Sequence, residues 1–307
     1  MKILLFGITD FCTNILDKLI RDKYEVCGII CNQSNNIDIQ EMKQIATMAK
    51  IPVFECNKVK DPAFIDKVKQ ACQPDVICVF TFDQLIPRAL YSLAKVAAIN
   101  LHPSLLPLYR GCHPYFWPIA NGEKETGLTF HYLAEEFDTG DIVAQEKMKI
   151  EPLETSGMLI ERQKILSWQM LRPILDGIKN TGQAPKATVQ AAGDFIKAPK
   201  VGLKDYFIDW HWPNKKILDR IRALNPFSAA FTIYKGLNVG IYQAEPVALA
   251  SLARPGTIID LVPQGPIVKT SDGALLLKVM LAGRKYLLSG ADFVKYEKVS
   301  LNDRLGN

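Results

Sequence analysis

A chain of 307 residues, 48% hydrophobic and 22% charged, has the balance of a globular protein and exceeds the usual size of one domain. Its longest apolar runs, at 77–82 and 274–277, exclude a helical membrane span, and the run at 3–6 is too short for a signal-peptide core, so a cytoplasmic location is expected. Seven scattered cysteines exclude a disulfide framework, and a formal charge of +5 permits an anionic ligand without demonstrating nucleic-acid binding.

The first half alternates short β-branched runs with amphipathic stretches. Residues 2–6 read as a strand, Gly7 follows, and a helix runs from about 11 to 23 with Asp10 as its N-cap. The next strand is at 26–31, and a helix at 41–50 ends at the Ile51-Pro52 break. Strands at 75–80 and 96–101 come next, with a helical turn near 87–93 between them. Strands alternating with helices imply an α/β, Rossmann-like parallel sheet covered on both faces. After strands at 128–132 and 142–150, a long helix from about 155 to 179 has the apolar spacing to lie on that sheet.

The texture changes at 182–204, where Gly, Pro, Ala and Lys show little apolar periodicity and read as a linker. Beyond it, 214–224 looks like a helix and the rest like strands, at 230–234, 239–243, 256–261, 267–270, 275–281 and 285–288. Strands so short and so numerous predict a small β-barrel of the oligonucleotide-binding (OB) type. The expected organisation is a catalytic domain at 1–181, a linker at 182–204 and an OB-like barrel at 205–307.

Gly7 after a first strand invites a dinucleotide reading. The residues that follow, Ile8-Thr9-Asp10-Phe11-Cys12, lack the second and third glycines, and Asp10 would turn a negative charge toward the phosphates. The informative stretch is 99–141. Asn100 and His102, two apart at the carboxyl end of a predicted strand, emerge on one face, at the edge where open parallel sheets bind ligands. Pro103 to Pro107 make a rigid loop ended by Arg110-Gly111, and the turn-prone Phe137-Asp138-Thr139-Gly140-Asp141 offers a carboxylate just before a strand. An amide, an imidazole and a carboxylate brought together can perform acyl transfer without a covalent intermediate. No serine sits in a nucleophile elbow, and Cys112 has no base beside it. The cysteines lack the paired spacing of zinc ligands, so no metal is expected.

The run Asn100-Leu101-His102-Pro103-Ser104-Leu105-Leu106-Pro107, with Tyr109-Arg110-Gly111, Gly122, Glu125-Thr126-Gly127 and Asp138-Thr139-Gly140, resembles the formyltransferases that use 10-formyltetrahydrofolate. The likeness continues through Asp209-Trp210, Ile221-Arg222-Ala223-Leu224, Pro255-Gly256-Thr257-Ile258 and Asp272-Gly273-Ala274-Leu275, and so covers nearly the whole chain. It implies that Asn100 holds the formyl oxygen, that His102 acts as general base or oxyanion partner, and that Asp138 orients and charges His102. It also implies that residues 80–87 hold the pteridine ring, with Phe82, Gln84, Leu85 and Ile86 as walls. The reaction implied is attack of a neutral primary amine on the formyl carbon, releasing tetrahydrofolate.

The acceptor amine is read from charge. Residues 32–40, where the tRNA enzymes of the family carry a basic loop, contain no Lys or Arg, and Leu108 replaces another basic residue. Phosphate contacts dominate nucleic-acid affinity, so these losses point away from tRNA. Against that stand Lys197, Lys200, Lys204, Lys215, Lys216, Arg220 and Arg222 in and after the linker. The expected acceptor is a small amine on a nucleotide-linked sugar, with methionyl-tRNA as the alternative and a formyltetrahydrofolate hydrolase a weaker one. Ser104, Arg110 and His113 are candidate acceptor contacts, Arg110 foremost because a rigid loop can present its guanidinium to a phosphate or carboxylate. His131 is expected to be packed within its strand, and His211 to lie in a domain junction. Tyr115, Phe116 and Trp117 read as a cluster that buries a helix.

Overall fold

The first apolar run becomes β1 (Lys2–Gly7), whose residues Ile3, Leu4, Leu5 and Phe6 are wholly buried in a computed structural model that describes residues 1–283 and 286–306. In α1 (Asp10–Arg21) the N-cap is Thr9, not Asp10: the Thr9 hydroxyl accepts from the amide of Phe11 at 3.3 Å, and Asp10 takes the first helical position. Next come β2 (Glu25–Asn32) and α2 (Ile37–Met48), which starts earlier than expected because Asn36 caps it, accepting from the amide of Asp38 at 2.9 Å. Neither β3 (Val53–Cys56) nor α3 (Pro62–Ala71) stands out by periodicity, although Asp61 before Pro62 is a helix-start signal. Then follow β4 (Val76–Phe80), α4 (Arg88–Tyr91), β5 (Ala97–His102), β6 (Arg110–Gly111), α5 (Trp117–Ala120), β7 (Glu125–Tyr132), β8 (Ile142–Lys149), α6 (Ser156–Thr181) and β9 (Lys197–Ala198).

The seven-stranded sheet has the order β3-β2-β1-β4-β5-β7-β8. Strands β1 to β5 pair in parallel, but β7 runs antiparallel to β5, so the sheet is mixed rather than wholly parallel. Hydrophobic patterning is silent on strand direction. The antiparallel register places Asn100 opposite His131 and His102 opposite Thr129. Side chains facing one another across such a pair share a face.

Two compact units arise: one comprises Met1–Pro114, Thr126–Met148 and Glu161–Pro199, the other Tyr115–Glu125, Lys149–Ile160 and Lys200–Asn307. Most of the stretch expected to be a linker is fastened into the first unit. Thr188 and Ile142 exchange two backbone hydrogen bonds of 2.8 Å, and β9 pairs in parallel with β6. The amides of Tyr109 and Cys112 donate to the carbonyls of Ile196 (2.6 Å) and Ala198 (2.7 Å). These ties are made by backbone, which leaves no apolar period to read.

The second unit holds α7 (Asn214–Leu224), β10 (Ala230–Tyr234), β11 (Leu237–Val247), β12 (Ile258–Val262), β13 (Gly265–Lys269), β14 (Ala274–Ala282), β15 (Tyr286–Ser289) and α8 (Gly290–Tyr296). Lys285, where the last expected strand begins, lies outside the described residues. Helix α8 was not expected from the strand-like texture; Ser289 caps it, accepting from the amide of Asp292 at 3.1 Å. The strands form an open antiparallel path, β10-β11-β14-β13-β12, with β15 on β14, and among the described residues no ladder closes it into the expected barrel. The free edge of β14 is divided between β13, at Ala274–Leu276, and β15, at Val279–Ala282. The C-terminal residues reach both ends of the path, Leu305 bridging Tyr234 and Arg304 bridging Thr257. Phe116 is buried under the Arg220 guanidinium, 5.4 Å from its ring centroid. His211 is exposed, with Nδ1 2.9 Å from Asp209 Oδ1.

Five cysteines are buried, Cys27 is half-buried and Cys112 is exposed. Burial pushes the Cys12 thiol up to about 12. No helix among the described residues is long and apolar enough to cross a membrane.

Candidate active site

The carboxyl ends of β4 and β5 open beside the point where strand order reverses, the usual ligand edge of such sheets. Asn100, on β5, donates from Nδ2 to Nε2 of His131 on β7 at 3.0 Å. The other ring nitrogen of His131, Nδ1, lies 2.8 Å from the carbonyl oxygen of Tyr132. A carbonyl can only accept, so Nδ1 carries the hydrogen and Nε2 is left as the acceptor for Asn100. Burial drives the His131 pKa down to about 4, against the pull of the Asp138 carboxylate. The ring is neutral at ordinary pH.

His102 is 4% exposed, with Nε2 donating to the Tyr109 carbonyl at 2.8 Å. Its Nδ1 faces Asp138 Oδ1 at 3.4 Å, and His131 Nε2 stands 3.7 Å from the same oxygen. The second carboxylate oxygen, Oδ2, accepts from the amide of Gly111 at 3.0 Å. Burial pushes the Asp138 pKa up, but the two imidazoles and the Gly111 amide outweigh it and hold the carboxyl below its ordinary range.

Two glycines are required by this geometry. Gly111 has φ +125° and a Cβ there would lie 2.4 Å from the Ala198 carbonyl oxygen; at Gly140 a Cβ would lie 1.8 Å from that of Tyr132. Asp138 itself adopts φ +58°, the left-handed region that a side chain seldom enters.

A cavity opens onto Asn100, His131 and Asp138, with Phe82, Gln84, Leu85, Ile86 and Leu133 among its other walls. Its apolar sides with polar groups at one end suit a flat heteroaromatic ring. Gln84 is already committed, accepting from the Val59 amide at 2.9 Å and donating to Asn32 Oδ1 at 3.0 Å, so it braces the wall. His102 does not line the cavity and stands behind Asp138.

The expected acceptor contacts lie elsewhere. Ser104 is wholly buried, with its hydroxyl donating to the Leu108 carbonyl at 2.7 Å, and so braces the loop instead of facing a ligand. Arg110 is half-buried and donates from Nε to Gln190 Oε1 at 3.2 Å. His113 is half-buried in the loop after β6, outside the lining of the cavity. Sequence reasoning missed His131 as a site residue; its signal was the alternation Thr129, His131 on the strand that pairs with β5. It also missed Gln190, in a segment without periodicity. Among the described residues, no three His, Cys, Asp or Glu side chains are grouped as metal ligands would be.

Comparison with known proteins identifies the family. Residues 1–173 match the formyl transferase family model and residues 200–298 the model of the formyl transferase C-terminal domain. Methionyl-tRNA formyltransferase of Clostridioides difficile is 31% identical over 313 residues, which cover all of both chains. Among solved structures, HypX from Aquifex aeolicus, in complex with tetrahydrofolic acid, has a TM-score of 0.67 at 19% identity; the match covers 96% of this chain but only 47% of HypX. The N-formyltransferase of Helicobacter canadensis, in complex with folinic acid and dTDP-3-aminofucose, has a TM-score of 0.67 at 17% identity and covers 90% of this chain and 98% of that one. At such identities the two structures speak for the fold alone. With family models matching both regions, the chain belongs to the formyl transferase family and is an N-formyltransferase that takes its formyl group from 10-formyltetrahydrofolate.

Proposed function

We propose that the acceptor is the amino group of methionyl-tRNA. One observation carries this reading: the full-length relation, at 31% identity, to a methionyl-tRNA formyltransferase. It displaces the nucleotide-linked amino sugar as first choice. Five of the basic residues noted in the sequence, Lys197, Lys200, Lys204, Lys215 and Lys216, are exposed. Of these Lys215 is paired with Asp219 at 2.6 Å, and Arg220 and Arg222 are likewise spent on Asp205 and Asp219. Such a reaction belongs in the cytoplasm.

When bound, 10-formyltetrahydrofolate supplies an electrophilic formyl carbon. Asn100, with one amide hydrogen committed to His131, offers the other to the formyl oxygen as negative charge develops there. Asp138 presents a desolvated carboxylate in the cavity wall, and the Asp138–His102 pair would accept the proton that the amine loses and pass it to the donor nitrogen as its bond to the formyl carbon breaks. Phe82, Leu85 and Ile86 exclude water from the ring of the donor.

A second reading, an amino sugar on a nucleotide, is favoured by the cation-free turn after β2. There Asn32 donates to Asp83 Oδ1 at 2.8 Å, and Lys43, the next basic residue, is paired with Glu55 at 2.7 Å. The test is formylation of methionyl-tRNA and of a dTDP-linked amino sugar by the purified protein in rising salt. Formylation of the tRNA with kcat/KM falling at least tenfold between ~50 and ~200 mM salt is expected. Turnover of the sugar with none of the tRNA would overturn the proposal.

A further inference from the structure

Residues 185–198 run along the first unit beside the site. Tyr132 Oη donates to the Pro185 carbonyl at 2.6 Å, Thr188 pairs with Ile142, and Ile196 accepts from the amide of Tyr109. Within this strap the side chain of Gln190 is buried, 8% exposed, and its amide is fully used. Nε2 donates to the carbonyls of Asp138 at 2.9 Å and Gly140 at 2.7 Å. Oε1 accepts from Nε and Nη2 of Arg110, at 3.2 and 2.5 Å.

We propose that Gln190 is a positioning residue for formyl transfer, tying the turn that carries Asp138 to the strand that carries Arg110 and Gly111 and so setting the carboxylate against His102. The connections close a ring. Gln190 holds the Asp138 main chain and the Arg110 guanidinium, and the next residue, Gly111, donates its amide to Asp138 Oδ2 at 3.0 Å. Asp138 at φ +58° is a backbone state that persists only where surrounding bonds over-determine it, and Gln190 supplies two donors to that turn. Arg110, which the sequence offered as an anion ligand, becomes a strut in the same frame. The inference rests on the reading that Asp138 serves the transfer.

Three variants test it: Gln190→Met, which keeps the length and loses every hydrogen bond; Gln190→Glu, which keeps the acceptor for Arg110 and loses both donors; and Asp138→Asn. With 10-formyltetrahydrofolate and methionyl-tRNA, or the amino sugar if that is the acceptor, both Gln190 variants should lose about 10- to 100-fold in kcat, the scale of a misplaced catalytic group. The KM for the donor and the dissociation constant of tetrahydrofolate should stay within about twofold. Gln190→Glu should be as impaired as Gln190→Met, because the lost donors are the ones acting on the Asp138 turn. A wild-type kcat in Gln190→Glu beside an inactive Asp138→Asn overturns this inference alone. Full activity in Asp138→Asn overturns the triad reading and this inference with it. Loss of tetrahydrofolate binding, or a raised KM with kcat intact, assigns Gln190 to folding or binding and likewise overturns it.

Discussion

Asn100 faces His131 across the β5–β7 ladder, and its amide donates to the imidazole Nε2 at 3.0 Å. The pair settles which way the Asn100 amide points: its nitrogen is turned to His131 as long as that ring stays neutral. A proton on Nε2 would leave two donors facing each other. Acid therefore disturbs the part of the cavity wall assigned to the formyl oxygen.

The stability of the protein should carry the imprint of this histidine. In the unfolded chain His131 takes up a proton near its ordinary pKa of 6.5, whereas in the folded chain it does so only near 4. Between those values the unfolded state binds more protons, so stability is intact above the window and declines as pH falls through it. The decline is at most about 3 kcal/mol. Urea midpoints of wild type and His131→Gln, followed from neutral pH downward, should converge or cross as the wild type loses ground across that window. Parallel curves would refute a neutral, buried His131.

Asp138→Asn should lower kcat by roughly 10²–10⁴, the usual worth of positioned proton transfer, while tetrahydrofolate still binds. Its stability effect has the same pH sense, in a lower window. A carboxyl held below its ordinary range stabilises the fold above that range, and the contribution fades as pH drops through the folded value. The variant should thus be less stable than wild type at neutral pH, with the gap closing in acid. Chemical unfolding at neutral pH and below the ordinary carboxylate range measures it.

The C-terminal residues should matter to the second unit. Leu305 is 2% exposed, bridges Tyr234, and donates its amide to the Gly256 carbonyl at 2.8 Å. Leu305→Ala should cost about 2–5 kcal/mol, the usual range for emptying a buried leucine site. Because the cavity lies in the first unit, the affinity for tetrahydrofolate should not change. Denaturant unfolding and a binding titration on the same sample check both halves.

Local signals were legible and long-range ones were not. Helix α7 and strand β10 have the bounds that periodicity and turn residues give, because each is delimited by neighbours such as Pro213 and Gly236. The two-residue step from Asn100 to His102 fixed a shared face without any knowledge of partners. The antiparallel entry of β7 depends on how the chain returns after β5, which no window of residues records, and with it went the role of His131. The same holds for Gln190, whose worth lies in bonds to residues 80 and 50 positions away. The expectation of a closed barrel counted strands; the split partnership of β14 lies in tertiary pairing alone.

The distribution of sulfur offers a practical opening. Cys112 is the one exposed thiol, adjoins the Gly111 amide that anchors Asp138, and contrasts with five others sealed in the interior. A maleimide fluorophore attached to the native polypeptide would therefore sit one residue from the amide that holds Asp138, giving an optical reporter of ligand arrival without any engineered mutation.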